Sequence, residues 1–244
     1  MRDPSSWRTP APRVGAALAV TLLLAEAACL LVLLPHSEPF TLPVTATFGA
    51  VSLDIAQVDV RAASVILCLI VAAARVPSLL STASVDTVGP RADAGRRVAA
   101  VTSWSEPLLV TPIIVFLLAG LNGVTEVSAL VSLYALASAG VLLTRLQREG
   151  GRASLVCAAA VGIVPWGVIA FSQIGALVVG EGPSMLTRVL TLGMLALALG
   201  GFVAEWRERR HPRSPRVPSP ATALFRVTSV SVLGWGALSL ALVA

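Results

Sequence analysis

Two glutamates lie inside apolar segments, where a carboxylate needs a specific reason to be present. Glu106 interrupts the run Val98–Leu121, and Glu26 interrupts the run Val14–Leu34. A carboxylate inside a membrane is costly unless it is paired, hydrated or protonated. It can act as the counterion of a buried cation or relay a proton, or it can be a hydrogen-bonded structural group. Glu106 is the leading candidate site, and we expect it to be neutral because desolvation disfavours the charged form.

Aromatic residues and a proline supply candidate walls for a pocket. Pro165 and Trp166 fall near the middle of one apolar run, where proline bends a helix and Trp offers a broad flat face. Trp104 and Trp235 are further candidate walls. Ordinary packing is the alternative for each aromatic residue alone, and only their combination favours a pocket.

Hydroxyl and guanidinium groups also occur in or beside the apolar runs. Ser229 and Ser231 are expected to hydrogen-bond back to carbonyls of their own helix. Arg75 and Arg226 lie near helix ends, where arginine usually extends to the lipid headgroups. The alternative for either arginine is an ion pair with one of the two buried glutamates.

The chain contains no lysine, since all 18 of its basic residues are arginine. A Schiff base requires a primary amine that can lose its proton, and a guanidinium group cannot replace it. The two histidines, His36 and His211, are far apart and form no metal-ligand motif. Because no nucleophile motif or phosphate-binding glycine loop is present either, the sequence gives no support for an enzyme.

The composition is that of an integral membrane protein. Hydrophobic residues make up 56% of the chain and charged residues 13%, whereas soluble domains carry about 25% charged residues. Seven segments are long enough to span a bilayer as helices, which takes about 20 residues. They are Val14–Leu34, Arg61–Leu80, Val98–Leu121, Val124–Leu143, Ser154–Val179, Leu186–Val203 and Leu224–Val243, within a single domain covering residues 1–244.

The arginines are distributed unevenly between the two sides of these segments. Sixteen of the 18 fall before the first segment or around the connections that follow the second, fourth and sixth. The positive-inside rule then places the N-terminus in the cytoplasm and the C-terminus outside the cell membrane. Short arginine blocks between apolar spans favour contact with an anionic lipid bilayer over nucleic acid.

Two connections are long enough to contain structure. The segment His36–Val60 is rich in Thr, Val and Phe, which favours a short extracellular β-hairpin. The segment Arg207–Pro220 is rich in Arg and Pro and is typical of an extended linker near anionic lipid.

Read in order, several motifs resemble those of the heliorhodopsin family. Phe40-Thr41-Leu42-Pro43-Val44-Thr45 resembles the segment that opens the family's hairpin, and Ser103-Trp104-Ser105-Glu106 resembles its counterion motif in helix 3. Further similarities are Gly123-Val124-Thr125-Glu126, Leu133-Tyr134-Ala135-Leu136 and, most specifically, Gly162-Ile163-Val164-Pro165-Trp166. In helix 7, Gly234-Trp235 aligns the family's retinal-binding lysine with Val230.

The resemblance implies an all-α integral membrane protein, a seven-transmembrane-helix rhodopsin-like bundle with a cytoplasmic N-terminus. It implies a ligand pocket that includes Glu106 as a former counterion, Trp104, Pro165, Trp166, Val230, Ser229, Ser231 and Trp235. Because Val230 replaces the lysine, covalent retinal is excluded, and retinal or another apolar ligand would bind non-covalently. A homodimer through the hairpin and a cytoplasmic signalling partner are further implications of the resemblance.

Three functions remain open from the sequence. The first is a sensory, regulatory or ligand-binding protein without covalent retinal. The second is a proton or solute channel or transporter that uses Glu26 and Glu106 as a relay. The third is a structural membrane scaffold whose pocket has collapsed.

Overall fold

The computed structural model describes residues 11–36, 39–83, 90–146, 152–180, 182–210 and 220–243. Within these ranges the chain forms seven α-helices and one pair of strands. The helices are α1 (Ala11–Leu33), α2 (Val60–Ala83), α3 (Pro90–Leu121), α4 (Val127–Leu146), α5 (Arg152–Val179), α6 (Met185–Arg210) and α7 (Pro220–Val243), and a short 3-10 turn, Leu34–His36, follows α1.

Five stretches in these helices are long and apolar enough to cross a membrane, as far as the described residues extend. They are Ala17–His36, Val127–Thr144, Val156–Val179, Met185–Arg207 and Leu224–Val243. In α3 the apolar part is shorter and covers Ser105–Leu121. The chain is therefore predominantly helical, with the long apolar helices of a membrane-embedded protein.

Two helices extend well beyond the segments that hydropathy marks. The helix α3 begins at Pro90 instead of Val98, and α6 continues to Arg210 instead of ending at Val203. Hydropathy detects only the apolar part of a helix, whereas arginine is a good helix former and continues it into polar surroundings. Proline at the first helical position also suits the start of α3, since that position needs no N–H group.

Two antiparallel strands lie in the connection between α1 and α2. The strands are β1 (Thr41–Phe48) and β2 (Val51–Asp59), joined by a two-residue turn. Gly49 in the turn has a φ of 63°, a backbone conformation that glycine adopts without steric cost. The outer strand β2 is largely exposed along its length.

The inner strand β1 packs against the connection between α3 and α4. Leu42 lies so close to Gly120 that a Cβ atom at Gly120 would be 2.8 Å from its Cδ1 atom, so a larger residue at 120 would require the Leu42 side chain to shift. Thr47 donates a backbone and a hydroxyl hydrogen bond to the carboxylate of Glu126, at 3.1 and 2.9 Å. The strand pair therefore covers one end of the bundle, which we call the hairpin end.

The helices pack mainly on their neighbours in sequence. Contacts run from α1 through α5 in order, while α6 packs on α7, and α7 packs on α1 and α2. The exception is α5 and α6, whose backbones hardly approach each other within the described residues. The opposite end of the bundle, where the connections α2–α3, α4–α5 and α6–α7 and the helix ends beside them together contain most of the arginines, is called the arginine-rich end.

Asp59 and Arg61 fix the start of α2 at the hairpin end. The backbone N–H of Arg61 donates to Oδ1 of Asp59 at 2.9 Å, as in a helix N-cap. The Arg61 guanidinium group donates two hydrogen bonds to the same carboxylate, at 3.1 and 2.8 Å. It donates a third to the backbone carbonyl of Leu34 at 3.2 Å. The pair therefore joins β2, α2 and the end of α1.

Replacing Asp59 by Asn is expected to lower stability in a pH-dependent way. The hydrogen bonds from Arg61 hold the pKa of Asp59 below its ordinary value of 3.8. A lowered pKa stabilises the fold above the unfolded-state pKa, and this contribution disappears as the pH falls through the folded-state pKa. Thermal unfolding should show a loss of roughly 1 kcal/mol for Asp59→Asn at pH 7. The difference between the two proteins should start to decrease near pH 3.8 and vanish once the pH is below the lowered folded-state pKa of Asp59. A difference that does not change with pH in this range would contradict the ion pair as its cause.

Candidate functional site

Glu106 lies between two guanidinium groups from different helices. Its Oε1 accepts a hydrogen bond from Nη2 of Arg75 in α2 at 3.1 Å. Its Oε2 is 3.8 Å from Nη1 of Arg226 in α7. Glu106 itself is only 4% exposed. This charge cluster therefore connects α2, α3 and α7 inside the bundle.

The two arginines provide Glu106 with nearby positive charges, which the sequence-based expectation did not include. A neutral Glu106 was expected for a carboxylate without a cation, whereas the structure places two cations beside it. Arg75 donates a hydrogen bond to the carboxylate and Arg226 lies 3.8 Å from it, so the carboxylate is not buried without a cation. The expectation that Arg75 and Arg226 extend to the headgroups is wrong for the same reason, because both turn towards Glu106.

Val230 lies one helical turn beyond Arg226 on the same face of α7, since residues four apart are neighbours on a helix. Val230 is 1% exposed and belongs to the hydrophobic core. The positive charge that a lysine would bring to this position is therefore already present one turn away. The pairing of the carboxylate of Glu106 with a cation from α7 is kept without an amine.

Glu26 forms a second polar contact with α7. The hydroxyl of Ser231 donates a hydrogen bond of 2.6 Å to its Oε2. The described part of the chain offers no hydrogen bond to its Oε1, and the residue is 6% exposed. Ser229 bonds back to the carbonyl of Phe225 at 2.7 Å, as expected, but the same expectation for Ser231 is wrong because this side chain bridges two helices.

A lateral cavity of about 610 Å³ lies among α3, α4, α5, α6 and α7. Its lining residues come from the halves of α4 to α7 that are nearer the arginine-rich end. The walls are mostly apolar, and Arg226 of the charge cluster forms part of them. Each helix contributes to the lining, with Ile114, Val141, Trp166, Leu197 and Phe225 as representatives.

The residues predicted to form a pocket differ in their position relative to the lateral cavity. Trp166 and Ser229 line the lateral cavity, whereas Pro165 and Val230 are buried beside it without lining it. Trp235 is 43% exposed, so the expectation that it forms a pocket wall does not hold for this cavity. Trp104 lies in α3, but its side chain is outside the described part of the chain.

A polar clasp joins α3, α5 and α6 towards the hairpin end. Asn122 is 2% exposed and donates through Nδ2 to Thr191 in α6 at 2.9 Å. Its Oδ1 accepts a hydrogen bond from Gln173 in α5, and its backbone carbonyl accepts one of 2.7 Å from Ser172. The clasp links α5 and α6 through a third helix, although the backbones of the two helices hardly approach each other.

Sequence reasoning did not identify this clasp. Asn122 directly precedes Gly123 at the end of an apolar run, where an asparagine is ordinarily interpreted as a helix-capping or turn residue. The available signal was Gln173, an uncharged amide inside the apolar segment Ser154–Val179. A buried amide in a membrane helix usually bonds to another helix.

Comparison with known proteins adds no assignment. The chain matches no protein-family model and no curated protein. Within the described ranges, no three His, Cys, Asp or Glu side chains are grouped as a metal site would require. The charge cluster and the lateral cavity are therefore the two features on which a function has to be argued.

Removing the charge of Glu106 should strongly destabilise the bundle. The variant Glu106→Gln leaves two guanidinium groups facing each other inside the protein without their shared anion. Breaking a buried ion pair by removing one partner costs about 3–5 kcal/mol. We expect a marked decrease in the midpoint of thermal unfolding, measured by intrinsic fluorescence in detergent micelles.

Two arginine variants serve as internal controls for this prediction. Arg75→Gln should cost more than Arg226→Gln, because only Arg75 is hydrogen-bonded to Glu106. The double variant Glu106→Gln/Arg75→Gln should lose less than the sum of the single losses, since the two residues interact. Strict additivity would show that the ion pair does not stabilise the bundle.

Replacing Asn122 by Ala should loosen α5 and α6 at the hairpin end. The variant removes the amide that both helices use, and interhelical hydrogen bonds in membranes contribute about 0.6–1.7 kcal/mol each. Hydrogen exchange should increase in the parts of α5 and α6 around Gln173 and Thr191, while α1 and α2 remain as protected as in the parent. The variant Ser132→Ala is the matched control, because its hydroxyl bonds only within α4.

Proposed function

We propose that the chain is a heliorhodopsin-like seven-helix membrane protein that binds an apolar ligand non-covalently and has a sensory or regulatory role. The observation that carries the proposal is the lateral cavity with the charge cluster at its wall. Its volume of about 610 Å³ lies within the range of small-molecule sites, roughly 300–1,000 Å³. Retinal and other elongated apolar molecules are the ligands that such walls favour.

The absence of lysine restricts how the ligand is held. Retinal aldehyde condenses with an amine, and no lysine side chain supplies one. The ligand is therefore retained by apolar contacts with residues such as Trp166, Met194 and Phe202. Glu106 no longer serves a chromophore and instead pairs with the two arginines.

The position of α7 would let ligand binding in the cavity change the packing of the helices. This helix lines the cavity through Phe225, Arg226 and Ser229, and it also contacts both buried carboxylates. A ligand that binds better to one position of α7 shifts the protein towards that position. Such a shift alters the distance between Arg226 and Glu106, which couples occupancy to the packing of α7 on its neighbours.

Orientation and partners follow from the arginine distribution and from the family resemblance. The proposal places the N-terminus and the arginine-rich end in the cytoplasm and the C-terminus outside. A cytoplasmic partner would then meet the arginine-rich end. A homodimer would use the strand pair, where Val51, Leu53 and Ile55 of β2 are exposed, each more than half.

Reconstitution with all-trans retinal tests the proposal directly. Adding retinal to the native protein should quench the fluorescence of Trp166. The absorbance spectrum should show no visible band of a protonated Schiff base. Filling the cavity with Ala159→Phe should abolish the quenching, because Ala159 lines it. A visible band that hydroxylamine bleaches would contradict non-covalent binding, and equal quenching in native and filled proteins would contradict the cavity as the site.

Introducing a lysine tests the charge argument. Val230→Lys should form a Schiff base that absorbs in the near ultraviolet, because Arg75 and Arg226 already neutralise Glu106 and disfavour a third cation. Val230→Lys/Arg226→Gln should restore a protonated, visible-absorbing form. Serine at 239 provides a control, since Ser239→Lys lies elsewhere on α7 and should remain colourless. No Schiff base in either folded Val230 variant would favour a collapsed scaffold.

A proton relay through Glu26 and Glu106 is the second candidate function. The observation that favours it is the buried Oε1 of Glu26, to which the described residues offer no hydrogen bond. Proton flux into liposomes that Glu106→Gln or Glu26→Gln abolishes would support the relay. The two guanidinium groups beside Glu106 argue against it, because a relay carboxylate has to accept and release a proton, and nearby cations disfavour the protonated form.

A further inference from the structure

The lateral cavity carries two opposite charges on its wall. Both Glu205 of α6 and Arg226 of α7 line it. A Cβ atom on Gly200 would meet the ring of Phe225, which places these two residues side by side across the helix pair. Glu205 lies five residues further along α6, about 7.5 Å nearer the arginine-rich end than Gly200. By helix position, Glu205 is therefore closer to the end of the bundle and Arg226 is deeper.

Aromatic residues place this charged end at the level of the lipid headgroups. The rings of Phe202 and Trp206 in α6 are 6.1 Å apart, and Arg207 follows them. Trp residues concentrate at membrane–water interfaces, where arginine side chains reach the headgroups. The charged end of the cavity therefore borders the interface, and the rest of the cavity extends into the apolar region.

The deeper part of the cavity suits a hydrocarbon chain. Beyond Arg226 its walls are mostly apolar and include Ile114, Trp166 and Met194, and the hydroxyl of Ser229 there is bonded to its own helix. Val156, Ile163 and Leu199 line the cavity and are also about half exposed on the bundle surface. Because the backbones of α5 and α6 hardly approach each other, the cavity is open sideways to the surrounding lipid.

We infer that the lateral cavity binds a single-chain zwitterionic lipid, with its phosphate at Arg226 and its ammonium group at Glu205. The order of groups in such a molecule, acyl chain, phosphate and then ammonium, matches the order of apolar wall, Arg226 and Glu205 towards the interface. A guanidinium group binds phosphate well, and a carboxylate complements the ammonium group. The inference rests on the proposed non-covalent ligand binding and names the ligand class.

Three lipids with the same acyl chain test the recognition of the headgroup. Full-length protein in nanodiscs is titrated with lysophosphatidylethanolamine, lysophosphatidic acid and monoacylglycerol, each brominated on the chain so that it quenches Trp166. Trp166→Phe identifies the signal from the cavity. We expect the zwitterion to bind about tenfold more tightly than the monoacylglycerol, a difference that corresponds to about 1.4 kcal/mol.

Charge variants separate the two headgroup contacts. Glu205→Gln should remove the preference for the zwitterion over lysophosphatidic acid. Arg226→Gln should weaken both phosphate-containing lipids and leave the monoacylglycerol unchanged. Arg226→Lys should retain phosphate binding, which guards against a folding defect in the glutamine variant. Ser239→Ala, on α7 but outside the cavity lining, should bind all three lipids as the parent does.

The outcomes distinguish this inference from the proposed function. Equal affinities for the three lipids, or an unchanged preference in Glu205→Gln, would overturn the zwitterion inference. If Ala159→Phe still abolished retinal quenching in that case, non-covalent ligand binding in the cavity would remain supported. If neither lipid nor retinal quenched Trp166, both would fail.

Discussion

The buried carboxylate of Glu106 constrains the rest of the bundle. A charge in this position requires cations within a few ångströms, and these cations come from α2 and α7. The three helices must therefore keep a fixed separation and rotation near the charge cluster, because losing one partner leaves another charge buried and uncompensated. Apolar packing alone would tolerate sliding between these helices, whereas the ion pairs specify one arrangement.

The two ends of the bundle are held in different ways. At the hairpin end, β1 covers α3 and α4, and the clasp centred on Asn122 gathers α3, α5 and α6. Towards the arginine-rich end, the charge cluster holds α2, α3 and α7, while α5 and α6 diverge around the lateral cavity. The cavity is therefore bordered by the parts of α5 and α6 that lie beyond the clasp.

The sequence predicts well how far along a helix a residue lies. It predicts poorly towards which neighbouring helix, or towards lipid, that residue faces. Apolar runs located all seven helices within the described ranges, but they underestimated α3 and α6 where arginines continue the helix. The placement of Arg75 and Arg226 near helix ends allowed an ion pair with Glu106 without deciding between that pair and headgroup contact. Deciding requires the side on which each helix packs, which is set by tertiary contacts.

The rotation of α7 about its own axis also explains why some of its residues were assigned wrongly from the sequence. Ser229 and Ser231 are two positions apart and face different neighbours, so one closes a local hydrogen bond and the other reaches Glu26 on α1. Trp235 shares its helix with Val230 but points largely out of the bundle. Hydropathy hardly changes between these positions, and an apolar helix with lipid on one side gives no polar stripe from which its buried face could be read.

The absence of lysine and the arginines near Glu106 both concern how many positive charges lie beside one buried carboxylate. A single carboxylate can compensate one cation fully, and Arg75 already provides that cation with a hydrogen bond. Arg226 approaches less closely, at 3.8 Å, and its side chain also forms part of the cavity wall. A lysine at 230 would add a third positive charge to the same site, which a buried environment disfavours. Valine at this position and arginine one turn earlier are therefore mutually consistent, because the valine adds no charge beside a carboxylate that already has two cations near it.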